Sequence, residues 1–223
     1  MEPATRPRIK ICCIASREEA WMAVRAGASA LGLVSAMPSG PGVIDEATIA
    51  DVAATVPPSI ATFLLTSLQE AFAIAAQQRR LRTTTVQICD RLQEGAHAEL
   101  RRALPGIGLV QVVHVTGPES VAEAVAVAPG VDALLLDSGD QTLAVKELGG
   151  TGRRHDWRIS RKIREAVAVP IFLAGGLEPA NVAEAIAEVG PFGLDVCSGV
   201  RTQGRLDKGK LEAFSEAIRT TRA

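Results

Sequence analysis

Tyrosine is absent from the 223 residues, and aromatic residues make up only 3%. So few rings leave little surface for stacking on bases. Neither sign of charge prevails: 24 Lys and Arg stand against 25 Asp and Glu, a formal net charge of −1. A chain this near neutral has no overall field to hold nucleic acid or an anionic membrane. No apolar run approaches the roughly 18 residues that cross a bilayer. The stretch from Met1 to Arg8 carries Pro3 and Pro7 and lacks the apolar centre of a secretory signal. A cytoplasmic protein with neither nucleic acid nor membrane as a partner is therefore expected. Cysteine is scarce too: Cys12, Cys13, Cys89 and Cys197. Neighbours such as Cys12 and Cys13 rarely bridge each other, and no CxxC pair suggests zinc. Scattered cysteines in a chain of this size read as reduced thiols. No His, Asp and Glu cluster has metal-ligand spacing, and neither a GxSxG elbow nor a Walker loop occurs. No metal is expected.

What is present is apolar residues in a regular order. They form 47% of the chain against 22% charged, which excludes disorder. Eight short runs read as strands buried on both faces: 9–14, 30–34, 60–65, 85–89, 109–115, 133–137, 170–174 and 193–197. Amphipathic stretches of helical period follow them at 17–28, 45–56, 67–81, 91–104, 118–128, 157–167, 178–189 and 207–221. Ser16 with Glu19 makes a capping box before the first, and Asp45 caps the second. Strict strand–helix alternation implies a parallel sheet with right-handed crossovers. Eight such units in this length predict an α/β fold, a single (β/α)8 TIM barrel over residues 1–223 with a polar tail at 1–7. An open doubly wound sheet is the runner-up.

In a barrel, the chemistry sits at the C-terminal strand ends and in the loops after them. Cys12 and Cys13 end the first strand, and alternation sends one inward and the other toward the helices. Asp137 ends the sixth strand after three leucines, where an unused carboxylate would be costly to bury. The long loop after it holds Gly149, Gly150 and Gly152, whose backbone N–H groups can approach an anion. Gly175 and Gly176 follow the seventh strand, and Ser198 and Gly199 follow the eighth. Loops in these two positions commonly bind phosphate in this fold, although tight turns with nothing bound would look the same. Arg153 and Arg154 lie in the loop near the mouth. His97 reads as a surface helix residue and His114 as a core one.

Taken together the motifs resemble the phosphoribosylanthranilate isomerase family. The carriers are KICCI at 10–14 with AGASALGLV after its helix, LLLDS at 134–138, GGTGRRHDW at 149–157, LAGGLEPANVAEAI at 173–186 and GLDVCSGV at 193–200. The resemblance implies a (β/α)8 barrel performing a cofactor-free Amadori rearrangement of a phosphorylated aminosugar in tryptophan biosynthesis. Carried over by position, Cys12 is the general base and Asp137 the general acid. Gly175, Gly176, Ser198 and Gly199 match the phosphate loops, and Asp195 matches a carboxylate near the substrate. A small phosphorylated sugar is the expected partner, with the chain a monomer or homodimer.

The chain departs from the family pattern in four places. Pro41, within SGPG, replaces an Arg that meets the anthranilate carboxylate. QICD at 87–90 replaces QLHG, so Cys89 stands for a substrate-facing His and Asp90 adds negative charge. Arg201 replaces a Glu, and Cys13 stands where Gly is usual. Arg201, Arg153 and Arg154 are the cations available to meet the carboxylate instead. A paralogue acting on another phosphorylated aminosugar or aldose, or a non-catalytic barrel binding a phosphometabolite, remain the alternatives.

Overall fold

The computed structural model describes residues 6–221. Residues 1–5 of the expected tail lie outside the described residues. Eight strands alternate with eight helices: β1 (Arg8–Ile11), α1 (Arg17–Arg25), β2 (Ala30–Val34), α2 (Glu46–Thr55), β3 (Ala61–Thr66), α3 (Ala71–Leu81), β4 (Thr85–Ile88), α4 (Ala96–Ala103), β5 (Gly108–His114), α5 (Glu119–Val127), β6 (Ala133–Asp137), α6 (Trp157–Ala166), β7 (Ile171–Leu173), α7 (Val182–Val189), β8 (Gly193–Val196) and α8 (Lys208–Thr220). All neighbours pair in parallel, and β8 closes on β1, with Lys10 opposite Asp195. That closure rules out the open doubly wound sheet. A small antiparallel pair, β9 (Arg201–Thr202) and β10 (Arg205–Leu206), precedes α8.

The period of two along each strand divides the core into two layers. Ile9, Ile11, Leu31, Leu33, Leu64, Val86, Ile88, Leu134, Leu136 and Leu194 pack outward against the helices. The opposite phase, with Cys12, Ala30, Phe63, Leu65, Cys89, Val110, Val112, Leu135 and Phe172, fills the barrel. Phe63, Phe172 and Phe192 meet edge to face at 5.8 and 5.6 Å across the interior. Gly193 admits Phe172, whose ring would lie 2.5 Å from any Cβ there.

Helix starts follow local chemistry. Ser16 Oγ accepts from the Glu19 N–H at 3.3 Å, and Asp45 accepts from the Thr48 N–H at 2.7 Å. Three helices begin later than their apolar pattern predicts, at Ala71, Ala96 and Val182. In two of these cases the preceding residues are held by loop hydrogen bonds instead. Ser67 donates to the Ala36 carbonyl and Gln69 to the Arg91 carbonyl, while Asn181 donates back to the Gly176 carbonyl. Among the described residues no helix is long and apolar enough to cross a membrane.

Candidate active site

A cavity opens at the C-terminal end of the barrel. The inward phase of the strands brings Cys12, Gln87, Cys89, Asp137 and Asp195 to its walls, and the loops add Pro41, Gly149 to Gly152, Gly175, Gly176 and Ser198. Residues distant in sequence meet here because every strand ends at the same rim.

Cys12 continues the β1 ladder, its N–H bonded to the Val196 carbonyl at 2.9 Å, so its side chain keeps the inward phase. Its sulfur shares one face of Gly32 with the Lys10 ammonium. A Cβ on Gly32 would lie 2.9 Å from the Cys12 Sγ and 3.1 Å from the Lys10 Nζ. Lys10 is fully buried and paired with Asp195 at 2.8 Å. Burial alone would favour the neutral amine, but Asp195 and the neighbouring thiol sites push its pKa above the ordinary lysine value. Asp195 itself is pushed up by burial, against the pull of Lys10.

Alternation fails at the next residue. Cys13 has φ +62°, the left-handed region, so its side chain does not turn toward the helices as strand geometry predicts. It lies at the mouth instead, 3.7 Å from the Pro41 carbonyl and 2.7 Å from the Cys197 sulfur. The usual glycine at this position is explained by the same torsion.

Asp137 caps β6 with 8% exposure, and its Oδ1 accepts from the Ser138 N–H at 2.7 Å. Glycines crowd both oxygens. A Cβ at Gly149 would meet Oδ2 at 2.6 Å and one at Gly175 would meet Oδ1 at 3.2 Å. The carboxylate is thus gripped by backbone on two sides and open to the cavity. His155 lies behind Gly175, its Nε2 2.6 Å from the Ser160 Oγ, and burial lowers its pKa to about 4.

Three loops converge opposite. Gly175 and Gly176 have φ +82° and +64°, which turns successive N–H groups toward one side. A Cβ on Gly176 would meet the Arg154 N–H at 2.8 Å, and one on Gly199 would meet the Leu177 carbonyl at 1.9 Å. Gly199 therefore holds two loops in contact and stands behind the cavity wall, which Ser198 reaches.

Several sequence-based expectations need correction. Arg201 does not line the cavity. Its guanidinium is spent on Glu19 at 2.9 Å, the Gly204 carbonyl and the carbonyls of Cys12 and Cys13, beneath the β1 turn. Arg153 pairs with Glu147, and Arg154 pairs with Glu184 while stacking 3.4 Å over the Trp157 ring. No Lys or Arg lines the cavity among the described residues. Asp90 adds no charge to the wall, because it points away and pairs with Lys146 at 2.6 Å. Cys89 does face the cavity; burial pushes its thiol up, so it serves as an apolar wall. His97 is half-buried rather than a surface residue, with Nε2 3.1 Å from the Gln111 Oε1. His114 is a core residue, donating to the Cys89 carbonyl at 3.0 Å. Pro41, in the place of an Arg, packs against the long loop after β6: a Cβ on Gly150 would meet its ring at 2.6 Å. Among the described residues no cluster of three or more His, Cys, Asp or Glu is arranged to hold a metal ion.

Comparison with known proteins places the geometry. The family model for N-(5'-phosphoribosyl)anthranilate isomerase matches residues 9–217. An N-(5'-phosphoribosyl)anthranilate isomerase 2 of Methanosarcina mazei is 37% identical over 93% of this chain and 92% of its own. The phosphoribosyl anthranilate isomerase of Thermotoga maritima superposes with a TM-score of 0.82 at 25% identity, covering 96% of this chain and 98% of that one. Another solved isomerase, in complex with reduced 1-(o-carboxyphenylamino)-1-deoxyribulose 5-phosphate, shares the fold at a TM-score of 0.80 and 24% identity, over 96% and 98%. With its barrel, its strand-end motifs and its matches agreeing along nearly the whole length, this chain belongs to the N-(5'-phosphoribosyl)anthranilate isomerase family.

Proposed function

We propose that this barrel isomerises N-(5'-phosphoribosyl)anthranilate, the substrate named for its family, to the 1-deoxyribulose 5-phosphate product of tryptophan biosynthesis. The observation that carries the reading is the meeting of Cys12 and Asp137 on the walls of one cavity, with the glycine loops of β7 and β8 at its rim. Asp137 protonates the ribose ring oxygen, and the ring opens to a Schiff base. The Cys12 thiolate then takes the proton from the second carbon. The enolamine that forms tautomerises to the ketone, and every atom of the substrate is kept. The imine itself accepts the developing electron pair, so the step needs no cofactor. Thiolate and carboxylic acid act as a general acid–base pair. Lys10, beside the Cys12 sulfur on Gly32, supplies a fixed positive charge near the base. Backbone N–H groups of Gly175 and Gly176, with Ser198 opposite, receive the phosphate.

The fluorescence of freshly prepared phosphoribosylanthranilate reads the reaction. Cys12→Ala and Asp137→Asn should each lower kcat by about 10²- to 10⁴-fold while the circular dichroism spectrum stays native. Undiminished turnover in either variant would sink the assignment of that residue. A second reading follows from the uncharged wall around Pro41: the aglycone is one without a carboxylate. A reduced wild type that binds ribose phosphates but leaves phosphoribosylanthranilate unchanged would favour it.

A further inference from the structure

The isomerase chemistry uses one thiol, yet four line the cavity. Cys13 and Cys197, 184 residues apart in the chain, have their sulfurs 2.7 Å apart. That separation is closer than two unbonded sulfurs ordinarily approach. Cys13 lies two residues past β1 and Cys197 directly follows β8, the pair of strands whose pairing closes the barrel. Cys13 also lies 3.7 Å from the Pro41 carbonyl, and both thiols line the cavity. Cys13 is buried, whereas Cys197 is half-buried and meets solvent first. We propose that Cys13 and Cys197 form a reversible disulfide across the β1–β8 seam, and that the crosslinked chain is the slower isomerase.

The chemistry suits this order of events. The hydrogen bond shared with Cys13 holds Cys197 below the usual thiol range, and the charge of Arg201 adds to the effect. The Cys197 thiolate attacks a low-molecular-weight disulfide, forming a mixed disulfide and expelling one thiolate. Cys13, held protonated in the reduced pair by its neighbours Cys12 and Cys197, then faces an uncharged sulfur. It loses its proton to solvent and attacks the Cys197 sulfur, expelling the second thiolate. The protein gives up two protons and two electrons, and the oxidant's S–S bond becomes two thiols. Closing to a bonded separation of about 2.05 Å needs a sub-ångström movement of the two turns. Cys12 is covalently next to one of them and Ser198 to the other. A shift of this size between base and substrate costs on the order of tenfold or more in rate. Disulfides in reducing compartments are typically of this transient, sensing kind.

The test is to titrate the full chain with oxidised glutathione and follow intact mass, thiol-blocked peptide mapping and turnover together. The expected result is a species two hydrogens lighter, a Cys13–Cys197 linked peptide, and a loss of turnover of tenfold or more that dithiothreitol restores. Cys197→Ser and Cys13→Gly should each form no such link, and the turnover of each should be unchanged by the oxidant. A link mapped to Cys12, no link at all, or equal oxidant sensitivity in both variants would overturn the proposal. The rate effect rests on the isomerase reading, whereas the crosslink is read by mass. A reduced chain that crosslinks but never turned over would count against the isomerase reading and against the slower-isomerase half of the proposal alone.

Discussion

At the scale of single residues, torsion and burial decide roles that residue type leaves open. Cys12 and Cys13 are chemically identical and adjacent, yet one keeps the strand phase and the other turns left-handed at φ +62°. A reader of the sequence sees that one of the two must be the inward thiol. The left-handed turn that brings Cys13 to the mouth as well is not legible from residue type. His155 illustrates burial. Packed behind Gly175 and bonded to Ser160, it is neutral in the folded chain, its pKa lowered from 6.5 to about 4 by loss of solvent. Its opposing influences are Asp137 and Asp156, which favour the charge, and Arg154, which opposes it. The unfolded chain takes up the proton first as pH falls, so stability is full above the ordinary histidine value and declines from there toward pH 4. Between neutrality and pH 5 the folded state should lose about 2 kcal/mol from this group. Urea titrations at the two pH values measure it. In His155→Gln, which keeps a donor for Ser160, that part of the pH dependence should vanish.

At the scale of elements, the strands are legible because two buried faces make each of them a dense apolar run. The runs at 30–34 and 133–137 coincide with β2 and β6. Helix starts are less legible on the catalytic side. Ser67 to Glu70 have helical composition, but Ser67 and Gln69 bond to neighbouring loops, and the helix waits for Ala71. Helical propensity is weak beside such tertiary bonds. Arg201 shows the same limit in the site. Its charge is visible in the sequence, whereas its partners are not. Glu19 on α1 accepts from both Arg201 and the Ala15 and Leu206 N–H groups, tying the first loop to β10. Arg201 also satisfies the carbonyls of Cys12 and Cys13. Arg201→Met should therefore lower unfolding free energy by about 2–4 kcal/mol, since it strands a half-buried carboxylate and two carbonyls at once. Chemical denaturation checks this. A change under about 0.5 kcal/mol, typical of an ordinary surface site, would remove Arg201 from this structural role.

At the scale of the whole molecule, the barrel is closed by one seam, and a buried ion pair lies across it. Lys10 of β1 and Asp195 of β8 are register partners, 2.8 Å apart, with the Lys10 ammonium 5.1 Å above the Phe63 ring. The pair performs two tasks that conflict energetically. It sets a charge beside Cys12 at the cavity, and it places two ionised groups in an interior where hydrocarbon would pack at lower cost. Desolvation of such a pair often cancels its attraction, whereas removal of one partner leaves a buried charge uncompensated. Lys10→Met should thus destabilise the chain by about 3–5 kcal/mol, and Lys10→Met combined with Asp195→Leu should recover most of that loss. Thermal unfolding of the single and double variants measures the difference. Recovery of stability without recovery of turnover would identify the pair as one kept for the site rather than for the fold. A double variant as unstable as the single would mean that the ion pair itself fastens β8 to β1. The seam would then be held by charge as well as by its backbone ladder.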